Sequence, residues 1–151
     1  MNRITTFLMF KDRAHEAMQF YCSVFKNSKI SRLMKQGGKV VGGTFKMNGT
    51  TFMCYEGGPH FSFTEGMSLL VPCKTQKEVD YYWSKLSQGG EESMCGWLKD
   101  KFGVSWQIIP DALMKCISDR NLARAKRAID AMLTMRKIDI AAIKRAHAGK
   151  N

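Results

Sequence analysis

Ser68-Leu-Leu-Val-Pro-Cys-Lys-Thr-Gln-Lys-Glu-Val-Asp-Tyr-Tyr-Trp-Ser-Lys-Leu-Ser-Gln-Gly-Gly90 holds a strand, a helix start and a helix stop in succession. Met67–Pro72 is a short apolar run, the pattern of a buried strand. Thr75-Gln-Lys-Glu78 is a capping box, in which the Thr75 oxygen accepts from a backbone N–H of the first turn and Glu78 reaches back. The helix that follows carries Val79, Tyr82, Trp83 and Leu86 on one face. Gly89-Gly90 ends it by supplying a left-handed residue. Two short strands are expected near Glu92–Met94 and Cys95–Lys99, then a turn at Asp100–Gly103 and a last strand at Val104–Ile109.

The same grammar lies upstream. Ile4–Phe10 reads as a strand, and Asp12 can cap a helix over Ala14–Phe25, where Ala17, Phe20, Tyr21 and Val24 form an apolar stripe. Ile30–Met34, Lys39–Met47 and Thr50–Tyr55 read as strands joined by turns at Gly37-Gly38 and Asn48-Gly49. An offset of 62 pairs Leu8 with Leu70, Ala17 with Val79, Phe20 with Tyr82 and Val24 with Leu86; near the end of each half an offset of 54 pairs Gly49 with Gly103 and Phe52 with Trp106. A duplicated βαβββ module over 3–56 and 66–110 accounts for both the residue matches and the order of elements. The fold class is therefore α+β, with residues 1–110 expected to form one domain.

Residues 111–151 break the pattern and read as a C-terminal helical appendage. Ser118 or Asp119 can cap a helix with an apolar stripe of Leu122, Ile129, Met132 and Leu133. Asp139 can cap another carrying Ile140, Ile143 and Ala146. The stripe is expected to pack on the duplicated core or on a second subunit.

The chain has 151 residues, 44% hydrophobic and 25% charged, ordinary for a globular protein that builds a core without disulfides or metal. Five scattered cysteines without a CxxC pair read as reduced thiols, and Cys54 and Cys95 as small core residues. Only three histidines are present, too few for a zinc-type cluster. His15 and His147 are expected to face solvent. No apolar run reaches membrane-spanning length and no signal peptide opens the chain, so a cytoplasmic location is expected, with no membrane partner. The net charge is +11, and residues 112–151 carry ten of the 24 Lys and Arg against three of the 13 Asp and Glu. That asymmetry reads as a solvated helical face. Without interleaved aromatics or a recognition motif, nucleic-acid binding by this basic tail ranks third among the functions considered.

The duplicated module with Phe20-Tyr21 in its first helix resembles the vicinal oxygen chelate superfamily, which includes glyoxalase I, extradiol dioxygenases and bleomycin resistance proteins. Phe7-Leu-Met-Phe10, Gly57-Gly-Pro-His-Phe-Ser-Phe-Thr-Glu65, Val79-Asp-Tyr-Tyr-Trp83 and Cys95-Gly-Trp-Leu-Lys-Asp-Lys-Phe-Gly-Val-Ser-Trp-Gln107 are similar to its PhnB-like branch. The resemblance implies a cupped sheet in each module around a ligand cavity, and a homodimer. Members of this branch often carry a 3-demethylubiquinone methyltransferase label. That chemistry calls for a Gly-rich turn opening a helix, whereas Gly37-Gly-Lys-Val-Val-Gly-Gly43 runs between and into strands.

Superfamily enzymes hold a divalent metal with His, Gln or Glu from the first and last strands of each module. The resemblance puts those positions on Thr5 or Thr6, Met53, Ser68 and Gln107. Gln107 is neutral and a poor general base, and the Met53 thioether suits neither Zn²⁺, Mg²⁺ nor Mn²⁺. His60, beside Pro59, is either a group at the cavity mouth or a loop histidine. Strand alternation from Gln107 turns Ser105 and Ile109 toward the cavity and Trp106 and Ile108 toward the helices. Trp97, next to the turn, can line a pocket for a planar or apolar ligand. The reading favoured is small-molecule binding without a catalytic metal or other cofactor, lined by Thr6, Met53, His60, Ser68, Trp97 and Gln107, with a ligand of anionic character matching the global charge. The alternative is a divalent-metal-dependent lyase or dioxygenase using Gln107, His60 and cavity waters.

Overall fold

The computed structural model describes residues 3–150; Met1, Asn2 and Asn151, at the ends of the two expected segments, lie outside them. The chain divides into two compact units, 1–63 and 64–151. The first contains β1 (Thr6–Phe10), α1 (Ala14–Val24), β2 (Lys29–Gln36), β3 (Lys39–Met47) and β4 (Thr50–Glu56). Its sheet has the order β1-β4-β3-β2, with β1 parallel to β4 and the other pairs antiparallel. The second contains β5 (Leu69–Cys73), α2 (Gln76–Ser87), β6 (Glu91–Glu92), β7 (Trp97–Lys99) and β8 (Ser105–Pro110) in the equivalent order β5-β8-β7-β6. The duplicated βαβββ module is present in both units. The parallel pairing of its first and last strands needs a crossover, which the helix provides.

Each helix covers one face of its own sheet. Ala17, Tyr21 and Val24 of α1 and Val79, Trp83 and Leu86 of α2 are all buried, and they correspond at the offset of 62. Tyr21 stacks on Phe45, which stacks on Phe52, with ring centroids 6.2 and 5.6 Å apart. Such pairs add about 0.5–1.5 kcal/mol each beyond area burial. The strands obey a different offset. Thr6 pairs with Phe52 and Leu69 with Trp106, so Thr6 corresponds to Leu69 and the strand offset is 63. Leu8, buried at 5% exposure, is therefore not the counterpart of Leu70, which is 53% exposed on the opposite face. The lost residue lies between strand and helix, where it changes no packing.

The cap of α1 differs from the sequence reading. Asp12 does not cap α1: Arg13 occupies the cap position, its side chain bonded to Glu16 and making no cap hydrogen bond, and the Ala14 N–H donates to Glu56 Oε1 at 3.1 Å. A carboxylate from the end of β4, also held by Lys39 Nζ at 2.9 Å, thus closes the helix N-terminus from across the sheet. In α2 the Thr75 oxygen accepts from Glu78 N–H as expected, but Glu78 reaches back to the N–H of Lys74.

The C-terminal segment forms α3 (Asp111–Ile117), α4 (Leu122–Leu133) and α5 (Ile140–Ala148), and belongs to the second unit. Neither Ser118 nor Asp119 caps α4; Asn121 does, accepting from Arg124 N–H at 3.1 Å, while Asp139 caps α5 as expected. Asp119 instead pairs with His147 at 2.7 Å, so His147 is partly buried rather than solvent-facing; His15 is half-buried on α1. Of the expected stripe of α4 only Met132 packs against the core. Ala125 and Ala128 are buried, whereas Leu122, Ile129 and Leu133 are exposed, because the alanines permit close approach of the neighbouring helices. Ala128 joins Ile109, Leu113, Cys116, Ile138 and Ile143 in one core cluster, tying the helices to the end of β8. Ile109 is consequently covered and does not line an open face.

Between β6 and β7 the chain makes a tight turn where strand residues were expected at Met94 and Cys95. Cys95 and Gly96 are both left-handed, with φ of 59° and 81°. Their N–H groups donate to Met135 O and Arg136 O at 2.7 and 2.8 Å, and Ile108 N–H donates to Gly96 O. Gln76 adds a second tie, donating to Ile138 O and accepting from Ile140 N–H. A Cβ on Gly96 would stand 2.8 Å from Ile108 O and 3.2 Å from Ile138 Cγ1. Gly96→Ala is expected to cost about 2–4 kcal/mol through left-handed strain and overpacking, read as a lowered urea midpoint. An unchanged midpoint would contradict this account of how the C-terminal helices are fastened.

Candidate functional site

Asp100 builds the β7–β8 turn. It is 3% exposed, and its Oδ1 accepts from the N–H groups of Phe102 and Val104 at 2.8 and 3.1 Å. Its Oδ2 accepts from Trp106 Nε1 at 2.8 Å. The turn sets the register Trp97 with Gln107, Leu98 with Trp106 and Lys99 with Ser105. Directly paired residues share a face. Trp106, Ile108 and Leu98 are buried on the α2 side, as expected for the first two. Trp97, Lys99, Ser105 and Gln107 therefore lie on the opposite, open face, together with Glu91, which pairs with Lys99, and Leu70, which pairs with Gln107.

Along this face and the β6 edge lies a cleft of about 500 Å³, lined among others by Glu65, Glu91, Trp97, Lys99 and Ser105, and by Glu92 from the α2 side. That volume is within the range of small-molecule sites. Met94 and Cys95, from the turn held by Met135 and Arg136, complete one part of the lining. Lys99 Nζ meets Glu65 Oε1 at 2.7 Å, which holds the Glu65 carboxyl below its ordinary value and raises the Lys99 ammonium. Glu92 Oε1 accepts from Trp83 Nε1 at 2.8 Å. Ser105 is 2% exposed and its Oγ has no hydrogen-bond partner. A buried hydroxyl in that state carries an uncompensated desolvation cost of about 1–3 kcal/mol.

The six residues singled out in the sequence fall in different places. Ser68 and Gln107 come together: Gln107 Nε2 donates to Ser68 Oγ at 2.9 Å. Trp97 lines the cleft; Gln107 and Ser68 lie on the open face but are not among its lining residues. In the first unit, Met53 pairs with Phe7 on the open row, whereas Thr6 pairs with the buried Phe52 on the α1 side. The one-residue difference in strand offset makes Thr5, not Thr6, the counterpart of Ser68. His60 is exposed in a turn. Glu65, Glu91, Glu92, Lys99 and Ser105 were missed as site residues. The two-residue strand β6, which brings Glu91 beside Lys99, is too short to read from periodicity, although alternation did turn Ser105 outward.

These donors do not fit a divalent metal: hydroxyls, an amide and a thioether offer no anionic or imidazole ligand, and Gln107 already bonds Ser68. Among the described residues no group of three or more His, Cys, Asp or Glu side chains could hold a metal ion. Burial pushes the thiols of Cys54 and Cys73 up to about 11 and about 12, so both stay protonated and unreactive at neutral pH. Cys95 is half-exposed at the cleft rather than a core residue.

Ser105→Ala removes the unsatisfied hydroxyl at small cost in packing. It is expected to stabilise the ligand-free protein by about 0.5–1.5 kcal/mol, seen as a higher urea midpoint at constant m-value. Destabilisation by more than about 1 kcal/mol would mean that the hydroxyl is partnered within the protein.

Residues 2–109 match the family model described as 3-demethylubiquinone-9 3-methyltransferase. A PhnB protein from Bacillus cereus, carrying the same methyltransferase description, is 43% identical over 72% of this chain and 99% of its own, with a TM-score of 0.64. A protein from Staphylococcus aureus is 34% identical, covering 71% of this chain and 94% of its own, with a TM-score of 0.35. PA1353 from Pseudomonas aeruginosa, 17% identical over 74% of this chain and 100% of its own with a TM-score of 0.58, shares the fold. No curated protein matches. With its duplicated βαβββ modules and a match across both, the chain belongs to the PhnB-like family described as 3-demethylubiquinone-9 3-methyltransferase.

Proposed function

We propose that this protein binds a small organic molecule on the open face of its second sheet and does so without a catalytic metal. The observation that carries the reading is the cleft itself, where Trp97 offers an aromatic wall and Ser105 a buried hydroxyl without a partner. An aromatic wall with a few placed polar groups is the usual make-up of a ligand site. Metal independence is supported by the chemistry at the ligand positions, where Ser68 and Gln107 bond each other.

The methyltransferase of the family description is not part of this reading. Gly42 and Gly43 lie inside β3, and Gly37-Gly38 form the β2–β3 turn. Neither opens a helix, so among the described residues no helix N-terminus stands behind a Gly-rich turn for a nucleotide-like cofactor. A homodimer belongs to the proposal. Phe7 and Leu70, at equivalent positions of the two open rows, are 48% and 53% exposed, and such apolar side chains favour cover by a second copy.

Native mass spectrometry of protein purified without chelator, then offered Zn²⁺, Mn²⁺, Ni²⁺ and Mg²⁺ in turn, tests both parts. The expected spectrum is a dimer without stoichiometric metal. One metal per chain, lost in Gln107→Ala, would replace the binding reading with that of a divalent-metal lyase or dioxygenase. A monomer would remove the dimer. For any organic molecule that co-purifies, Trp97→Ala is expected to weaken binding about tenfold or more.

A further inference from the structure

The charge at the cleft runs against the charge of the chain. The protein is +11 overall, yet three glutamates, Glu65, Glu91 and Glu92, line the cleft with a single lysine, Lys99. Lys99 is already paired with Glu65 at 2.7 Å. Charges beyond about 8 Å are screened at physiological ionic strength, so the carboxylates at the cleft, and not the net charge, set the sign of what it accepts.

Acidic side chains at a surface do not by themselves make a site, since water solvates them well. Ser105 supplies the independent observation. It is 98% buried by its 2% exposure, lies on the open face in register with Lys99 and hence with Glu91, and its Oγ lacks a partner. A hydroxyl in that position would gain its missing partner from a polar group entering the cleft. Trp97 adds a π face, which attracts cations, and Met94 a polarizable apolar contact.

We propose that the cleft takes an organic cation with a flat apolar body: the body rests on Trp97 and Met94, Glu91 faces the positive charge, and a polar group of the ligand meets Ser105 Oγ. This rests on the open face of the second sheet being a ligand site. An anion would instead set its charge beside the Glu65 and Glu91 carboxylates, with the local ammonium already engaged and Glu92 turned to Trp83. The ligand class is thus opposite to the anion that global charge suggested.

Two dyes with a common xanthene core, cationic rhodamine 6G and anionic fluorescein, separate the possibilities by fluorescence anisotropy on the full chain. Rhodamine 6G is expected to bind about tenfold or more tightly than fluorescein at physiological salt, against the sign of the net charge. Glu91→Gln should weaken rhodamine binding about fivefold and leave fluorescein no weaker. Trp97→Phe should retain most of the affinity and Trp97→Ala lose it, while Asp130→Asn, on α4, should change neither dye. Circular dichroism confirms that each variant is folded. Tighter binding of fluorescein, lost in Trp97→Ala, would overturn the cationic assignment but leave the cleft as a ligand site. Rhodamine binding indifferent to both Glu91→Gln and Trp97→Ala would overturn it as well, by placing the dye elsewhere. Failure of both dyes to bind at ~1 mM would sink the cationic proposal and the binding reading together.

Discussion

A buried carboxylate with three donors governs the second unit. Asp100 collects the N–H groups of Phe102 and Val104 and the indole N–H of Trp106, all within 3.1 Å. Taking a carboxylate out of water costs several kcal/mol, and charge-assisted hydrogen bonds of this kind offset it only when geometry is held. The turn is therefore confined to one form, and with it the register of β7 on β8. Because side chains alternate, a slip of β7 by one residue against β8 would send Trp97 and Lys99 to the α2 side and bring Leu98 out. The cleft exists on the open face because the turn permits no such slip.

Both units repeat one packing solution, an apolar helix stripe on one face of a mixed sheet, and they diverge on the other face. Phe7, Met9, Met53 and Tyr55 share the open row of the first unit. The second carries serine, glutamine, lysine and glutamate there, and this is where the chain has a polar cleft. It is also the unit that carries α3–α5. The family match ends at residue 109, yet the segment beyond it holds the Met94–Gly96 turn through Met135 and Arg136. A part of the chain outside the shared modules thus positions lining residues of the cleft.

The basic character of the protein has its own location. Much of the excess lies in residues 112–151, where several cations have local partners: Lys126 with Asp130, Lys137 with Asp80, and Arg127 with the terminal carbonyls of α5. Cations at a helix C-terminus stabilise it against its dipole. Net charge governs solubility and long-range encounter, whereas the sign of a bound ligand is decided by the few groups it touches.

The amino-acid pattern by itself determined the duplicated module, the order of elements and the hairpin turns, because these follow from local periodicity and from residues such as Asn48-Gly49 that tolerate positive φ. It also placed Trp106 in the core, since alternation along a strand is a local rule. Only the tertiary structure decided which residues meet. The helix offset of 62 does not carry over to the strands, so the face of Thr6 depended on pairing with β4. Asp12 left α1 uncapped because Glu56, 42 residues beyond Ala14, was nearer the task. Leu122, Ile129 and Leu133 stayed exposed because the small side chains of Ala125 and Ala128 allowed a closer contact than the larger stripe would. Glu91 became a cleft residue through a two-residue strand paired to β7. Each of these rests on contacts between segments distant in the chain, where local propensity is silent and packing decides.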